Sequence, residues 1–102
     1  MPITMEIVKA TAKHKKWKAI FSHIVDGKRK VIKTTSFGDN RYEDYTQHIS
    51  KERRTAYRKR HAKDLEKGSY MSAGWLSHDI LWGPYTDLQK NINTYKRKHK
   101  LK

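Results

Sequence analysis

Two segments that flank an Asp-Gly pair predict a β-hairpin near the N-terminus. Residues 16–25 partly alternate apolar with polar side chains and contain β-branched and aromatic residues, and residues 28–36 are typical of a return strand. Asp26-Gly27 between them favours a two-residue turn, because both central positions of a type I′ turn need positive φ. Residues 5–10 are a candidate third strand.

A two-residue turn would also set the pairing of the two strands. Phe21 would lie opposite Ile32, and Ala19 would lie opposite Thr34. Trp17, Ala19, Phe21 and Ile32 would then share one face of the sheet. A slip of one residue would exchange the two faces, because side chains alternate along a strand.

A polar helix is predicted after the hairpin. Residues 37–40 contain Gly and Asn and are typical of a turn, and residues 41–48 are polar and aromatic, as in a loop. Ser50 is a favourable N-cap, and Glu52 follows in the first turn, where the helix dipole favours an anion. The helix is expected over about residues 51–66.

Two further helices are predicted in the C-terminal part of the chain. Residues 72–83 form its most apolar stretch and suit a short helix. Trp75 and Trp82 lie there among Leu and Ile at helical spacing, which indicates a core role rather than a base-stacking platform. A capping box that begins at Thr86 predicts a helix over about residues 87–97.

Together these elements predict an α+β fold with a small N-terminal antiparallel hairpin or three-stranded sheet followed by three helices. There is no internal repeat and no long linker, so residues 1–102 are expected to form a single domain. Its ordered core would cover about residues 5–95, and the basic tail 96–102 would fray.

The positive charge is concentrated in three parts of the chain. The 102 residues include 24 Lys and Arg and 10 Asp and Glu, which gives a net charge of +14. The excess lies in residues 1–35, 51–60 and 96–102, whereas the apolar region is nearly neutral. Clustered charge of this size attracts polyanions, and nucleic acid is the first candidate among them.

The candidate nucleic-acid contacts fall into three groups. On the predicted first helix they are Lys51, Arg53, Arg54, Tyr57, Arg58, Lys59 and Arg60. On the hairpin they are Lys16, Lys18, Lys28, Arg29, Lys30 and Lys33. In the tail they are Lys96, Arg97 and Lys98. Guanidinium groups match phosphate oxygens, and Tyr can stack on a base. The alternatives are a solvated helix face and edge lysines that prevent aggregation.

Few residues suggest catalysis or a cofactor. The chain has no Cys, and no two of its six His residues are four apart, so no metal site and no cofactor are predicted. Two acidic residues and a histidine lie close together in the sequence, at Glu43, Asp44 and His48. Such a group of side chains could support metal-assisted phosphodiester hydrolysis. A capping role for Asp44 before Ser50 is the favoured interpretation, and the protein is not expected to be an enzyme.

The chain carries no targeting or membrane signal. Residues 1–6 have neither a basic region nor an apolar region of a signal peptide. No apolar run reaches the roughly 18 residues that a membrane helix needs. We therefore expect a protein that is not secreted and is not inserted into a membrane.

Several segments between about residues 36 and 95 together form a pattern. They are Tyr42–His48, Arg53, Tyr57, Arg60-His61, Ser72–Ser77, Leu81–Gly83 and Leu88–Ile92. This pattern resembles a known family of small basic proteins of undefined function, encoded by large double-stranded DNA viruses of algae and amoebae. Arg41 departs from the pattern, since Gly commonly precedes the first Tyr. The resemblance implies a viral context and supplies no mechanism.

These observations predict a low-specificity nucleic-acid-binding protein that contacts phosphates, with DNA a more natural partner than RNA. The alternative is a structural virion component, a minor capsid or core protein, whose basic surface binds acidic partner proteins. Its expected location is the virus factory or nucleus of a host cell, or the virion.

Overall fold

A three-stranded antiparallel sheet forms the N-terminal part of the computed structural model, which describes residues 3–102. β1 spans Ile3–Lys9, β2 spans Lys15–Val25, and β3 spans Lys28–Asp39. β2 is the central strand, so β1 and β3 form the two edges. The sheet precedes all the helices, which confirms the predicted α+β class and the third strand.

The hairpin turn forms where the sequence predicts it. Asp26 and Gly27 both have positive φ, at 52° and 75°. Val25 pairs with Lys28 on either side of them, as a two-residue turn requires. Local turn chemistry thus determines the start of the β2–β3 pairing.

A β-bulge makes the predicted register wrong further from the turn. Phe21 pairs with Lys33 and Ala19 with Thr35, each one residue later than expected, because Ile32 is an extra residue in β3. Without the bulge, Phe37 would lie on the opposite face from Phe21. With it, Phe37 turns into the core, where both phenylalanines are fully buried.

Four α-helices follow the sheet within the described residues 3–102, one more than predicted. They are α1 (Tyr45–His48), α2 (Lys51–Arg60), α3 (Ala73–Leu76) and α4 (Leu88–Lys98). A turn of π-helix at Ser77–Leu81 continues α3. The additional helix, α1, lies in the segment that the sequence predicted to be a loop.

The connection between the sheet and α2 is more regular than predicted. β3 continues through Asp39, so most of the predicted turn at 37–40 is strand. The side chain of Asp44 caps α1 and accepts a hydrogen bond from Thr46 N at 2.9 Å. Its capping role before Ser50 is therefore confirmed.

Helix α2 begins as predicted but ends early. Ser50 is its N-cap, and the chain leaves α-helical geometry at His61, with φ −105° and ψ 12°. Asp64 N then donates to His61 O in a tighter pattern, and a 3₁₀ turn spans Ala62–Leu65. The predicted end near residue 66 is wrong because the last turns belong to this separate element.

The two C-terminal helices match their predictions apart from one cap. Trp82 is buried, which confirms its core role, and Trp75 is half-buried. The cap of α4 is Asp87 rather than Thr86, because the Asp87 carboxylate accepts from Lys90 N at 3.1 Å. The core comprises Met5, Ala19, Phe21, Phe37, Tyr45, Leu76, Ile80, Leu81, Trp82, Ile92, Tyr95 and Leu101.

The C-terminal tail packs against the sheet, although residues 96–102 were expected to fray. Leu101 is buried and forms a parallel bridge with Ile3. Lys102 N donates to Ile3 O at 2.8 Å, and Met5 N donates to Lys102 O at 2.8 Å. These bonds cover the first part of the outer edge of β1, so the ordered structure extends beyond the predicted 5–95.

Leu101→Ala is expected to lower the free energy of unfolding by about 2 kcal/mol, because it removes buried apolar contacts at the β1 edge. Urea denaturation followed by circular dichroism measures this loss. Arg97→Ala is the control, since Arg97 is exposed and should change stability little. Equal stability of both variants would contradict a docked tail.

Candidate functional site

Helix α2 distributes its basic residues between two faces. Arg54 and Arg58 are half-buried, whereas Lys51, Arg53, Lys59 and Arg60 are exposed. We call these four exposed residues the helix surface. The inward face was not visible from the sequence, because all six residues are basic and the helix has no buried apolar residue.

Arg54 and Arg58 hold α2 against the end of the π turn. Arg54 Nε donates to Gly83 O at 2.7 Å. Arg58 Nη1 donates to His78 O at 3.0 Å and to Trp82 O at 2.9 Å. Carbonyl groups at the end of a helix have no hydrogen-bond donor within the helix. The two guanidinium groups are the donors for these carbonyl groups. These side chains are engaged within the fold.

Tyr57, the aromatic candidate on α2, has both ring faces occupied. It stacks on Trp82 with ring centroids 4.2 Å apart and planes within 6°. His61 stacks on it at 4.2 Å and 25°. Burial raises the pKa of Tyr57. Tyr57 therefore joins α2 to the core and has no open face for a base.

The hairpin candidates differ in their surroundings. Lys28, Lys30 and Lys33 are exposed, and we call them the hairpin surface. Arg29 Nη2 pairs with Glu6 Oε2 at 2.8 Å, and Arg29 Nε donates to Ser22 Oγ at 3.3 Å. Arg29 thus covers the outer face of the sheet.

Lys16 is tied to the connection between the sheet and α2. Its Nζ lies 2.6 Å from Asp44 Oδ2 and 2.6 Å from Gln47 Oε1. The side chains of Lys16 and Asp44 are only 11% and 4% exposed. The partners are 28 residues apart, so no sequence spacing indicated the pair. Lys18, the other candidate on β2, is half-buried.

The three tail candidates lie in the last turn of α4. Lys96 is half-buried, and Arg97 and Lys98 are exposed. Lys98 Nζ lies 3.6 Å from Asp79 Oδ2. Arg97 is exposed and has no acidic partner within residues 3–102.

Eight of the sixteen candidates are exposed cations without an acidic partner in the part of the chain that the structure describes. They are Lys28, Lys30, Lys33, Lys51, Arg53, Lys59, Arg60 and Arg97. The hairpin surface lies beside the turn after Val25. Helix α2 faces the other end of β2, because Lys15 and Arg53 line the same cleft. Lys15 and Val25, the two ends of β2, are ten residues apart, so the strand between them is about 33 Å long.

The cleft beside α2 has a volume of about 610 Å³. One wall is the end of the sheet with the loop that follows it, and the other is α2. Its floor consists of Ala73, Gly74, Ser77, Leu81 and Trp82. The sequence did not indicate this cleft, because it joins segments far apart along the chain.

The acidic and imidazole groups near α1 have structural contacts. Asp44 is buried against Lys16, and Ser50 N donates to His48 Nδ1 at 2.9 Å. That bond places the proton of neutral His48 on Nε2. Residues 3–102 contain no cluster of three His, Cys, Asp or Glu side chains that could hold a metal ion. None of the helices within that range is long and apolar enough to cross a membrane.

Asp44→Ala is expected to lower the free energy of unfolding by roughly 3–5 kcal/mol, because it leaves the buried Lys16 ammonium without its carboxylate. It also removes the cap of α1. Urea denaturation measures the loss. The control is Asp39→Ala, which breaks the more exposed pair with Arg41 and should cost much less. Similar losses in both variants would contradict a buried, stabilising pair.

Stability is expected to fall as the pH decreases below about 6.5. Burial lowers the pKa of His48, and the charge of Arg53 adds to this effect. Burial also lowers the pKa of His99, with Lys98 contributing. The unfolded chain, in which histidine has a pKa near 6.5, therefore takes up protons first. The stabilisation is complete above pH 6.5 and decreases toward the folded-state values.

Urea denaturation at pH 7.5, 6.5 and 5.5 tests this dependence. His48→Asn should show a smaller loss between pH 6.5 and 5.5 than the wild-type protein. The same loss in both proteins would mean that His48 does not titrate as described.

The similarity of this chain to a known family covers the sheet and the first two helices. No curated protein and no solved structure gives a significant match. A family model described as a family of unknown function (DUF5754) matches residues 5–61, which contain the sheet, α1 and α2. This confirms that the chain has uncharacterised relatives, although the match begins and ends earlier than the predicted span of 36–95. The chain therefore belongs to DUF5754, a family of unknown function.

Proposed function

We propose that this protein binds nucleic acid with low sequence specificity, DNA in preference to RNA, through phosphate contacts. The observation that carries the proposal is the set of eight exposed cations without acidic partners among residues 3–102. Phosphate contacts position a protein on DNA without reading bases. The proposal includes no catalytic activity and no cofactor.

The proposed interface consists of the helix surface, the hairpin surface and Arg97. Lys16, Arg54, Tyr57 and Arg58 are left out because each is engaged within the fold. The roughly 33 Å between the two ends of β2 approximates one turn of B-form DNA, at about 3.4 Å per base pair. A duplex that contacts both surfaces therefore needs about ten base pairs.

The affinity for duplex DNA is expected to decrease steeply with salt. If all eight cations contact phosphates, the logarithm of the association constant should fall with the logarithm of salt concentration at a slope of roughly −7. Fluorescence anisotropy of a labelled duplex between 50 and 200 mM salt measures this slope. Affinity that does not change with salt, or no binding at 50 mM, would contradict the proposal.

Triple variants locate the interface. Lys28→Ala, Lys30→Ala and Lys33→Ala together should reduce the magnitude of the slope by about three. A second triple variant at Lys9, Lys63 and Lys67 is the matched control, because it removes the same charge from exposed positions outside the proposed interface. If both triple variants change the slope equally, binding depends on net charge and not on the hairpin surface. Equal affinity of the wild-type protein for heparin and for duplex DNA would have the same meaning.

We further propose that the protein is encoded by a large double-stranded DNA virus and acts in the virus factory, the nucleus or the virion. This part rests on the resemblance of residues 36–95, which also supplies the preference for DNA over RNA. Detection of the protein in purified particles and in fractions of infected cells tests it.

A structural virion component is the second candidate. It is favoured by the exposed apolar side chains of Ile24, Val31 and Ile32 on the hairpin, which suit a protein partner. Replacing the three by Thr should leave DNA affinity unchanged. Loss of incorporation into particles without loss of DNA affinity would support the structural role.

A further inference from the structure

We propose that the cleft beside α2 binds one unpaired nucleotide of a single-stranded nucleic acid. Its base would lie against the apolar floor, and its phosphates would contact Arg53 and Arg60. The inference rests on the proposed nucleic-acid binding and adds the class of ligand and a defined site.

The floor of the cleft suits a flat, apolar ligand. Ala73 and Gly74 are half-buried and provide apolar surface, and they line the cleft together with the buried Leu81 and the edge of the Tyr57–Trp82 stack. Tyr42 lines the cleft and is 70% exposed. An exposed aromatic ring beside an apolar floor is the arrangement on which single-stranded bases stack.

The available charges of the cleft are mainly positive. Asp39 and Asp44 line it, but each is paired with a cation, Arg41 or Lys16. Asp64 also lines it and lies 3.0 Å from His61 Nδ1, a contact that compensates its charge only when His61 is protonated.

Among the remaining lining residues, Glu43 is acidic, whereas Lys15, Arg53 and Arg60 are basic and appear in no ion pair of residues 3–102. Arg53 and Arg60 are two helical turns apart on the same wall, about 10 Å along the axis. Their guanidinium groups are thus placed for phosphates on either side of one nucleotide.

The size of the cleft favours a single nucleotide. Its volume of about 610 Å³ lies in the range of small-molecule sites, roughly 300–1,000 Å³. A duplex is too wide to enter and can contact only the rim. The cleft therefore distinguishes an unstacked base from paired DNA.

Two pairs of matched variants separate this site from general charge. Arg53→Ala with Arg60→Ala removes two charges that line the cleft. Lys51→Ala with Lys59→Ala removes two from the same helix outside it. Ala56→Leu adds a larger side chain to the wall of the cleft and narrows it, and Ala62→Leu makes the same change at an exposed position that does not line it.

The experiment measures anisotropy of labelled (dT)₁₂ and of a 12-base-pair duplex at one salt concentration. Each cleft variant should bind the single strand about tenfold more weakly than its matched control. Duplex affinity should be equal within each matched pair. Thymidine monophosphate should displace the strand only at concentrations well above those of unlabelled (dT)₁₂, since a strand also contacts cations outside the cleft.

Three results would overturn the inference. If the wild-type protein binds neither polymer, the proposed function fails as well. If it binds both, and the cleft variants match their controls, only the cleft site fails. If thymidine monophosphate binds and (dT)₁₂ does not, the site serves a free nucleotide instead of a strand.

Discussion

Mutual repulsion among positive charges is the constraint on which this structure depends. With a net charge of +14 and a small core, the chain must either separate its cations or give them acceptors inside the fold. Both solutions occur. Lys16 has a buried carboxylate, and Arg54 and Arg58 have backbone carbonyl groups. Other cations are separated from one another, as the hairpin surface and the helix surface are at the two ends of a long sheet. Some of the basic side chains therefore stabilise packing within the fold, and others form exposed positive surfaces.

The local features of the fold were predictable from the sequence, and the non-local ones were not. Asp26-Gly27 determines a turn, and Ser50 and Asp44 cap helices, because each acts on neighbouring backbone. The bulge depends on the need to bury Phe37, which is a property of the assembled core. The docking of Leu101 beside Ile3 joins opposite ends of the chain, and no spacing in the sequence indicates it.

The same distinction applies to the candidate site. Composition identified α2 as basic, but only packing separates Arg54 and Arg58 from Arg53 and Arg60. The inward residues stabilise the helix that presents the outward ones, since α2 has no buried apolar residue of its own. The Tyr57–Trp82 stack adds the aromatic contact that a polar helix needs in order to pack. The fold and the proposed interface thus use different residues of one basic segment.

The free edge of the sheet links charge to association between copies. The C-terminal residues bond to β1 at Ile3 and Met5, whereas no strand within residues 3–102 pairs with the outer edge of β3, which is exposed from Lys28 to Thr34. Lysines along such an edge keep two copies from pairing strand to strand. A polyanion neutralises these lysines and lowers the electrostatic barrier between two edges. In the proposed complex, copies packed densely along a nucleic acid would therefore repel one another less at their sheet edges than free copies do.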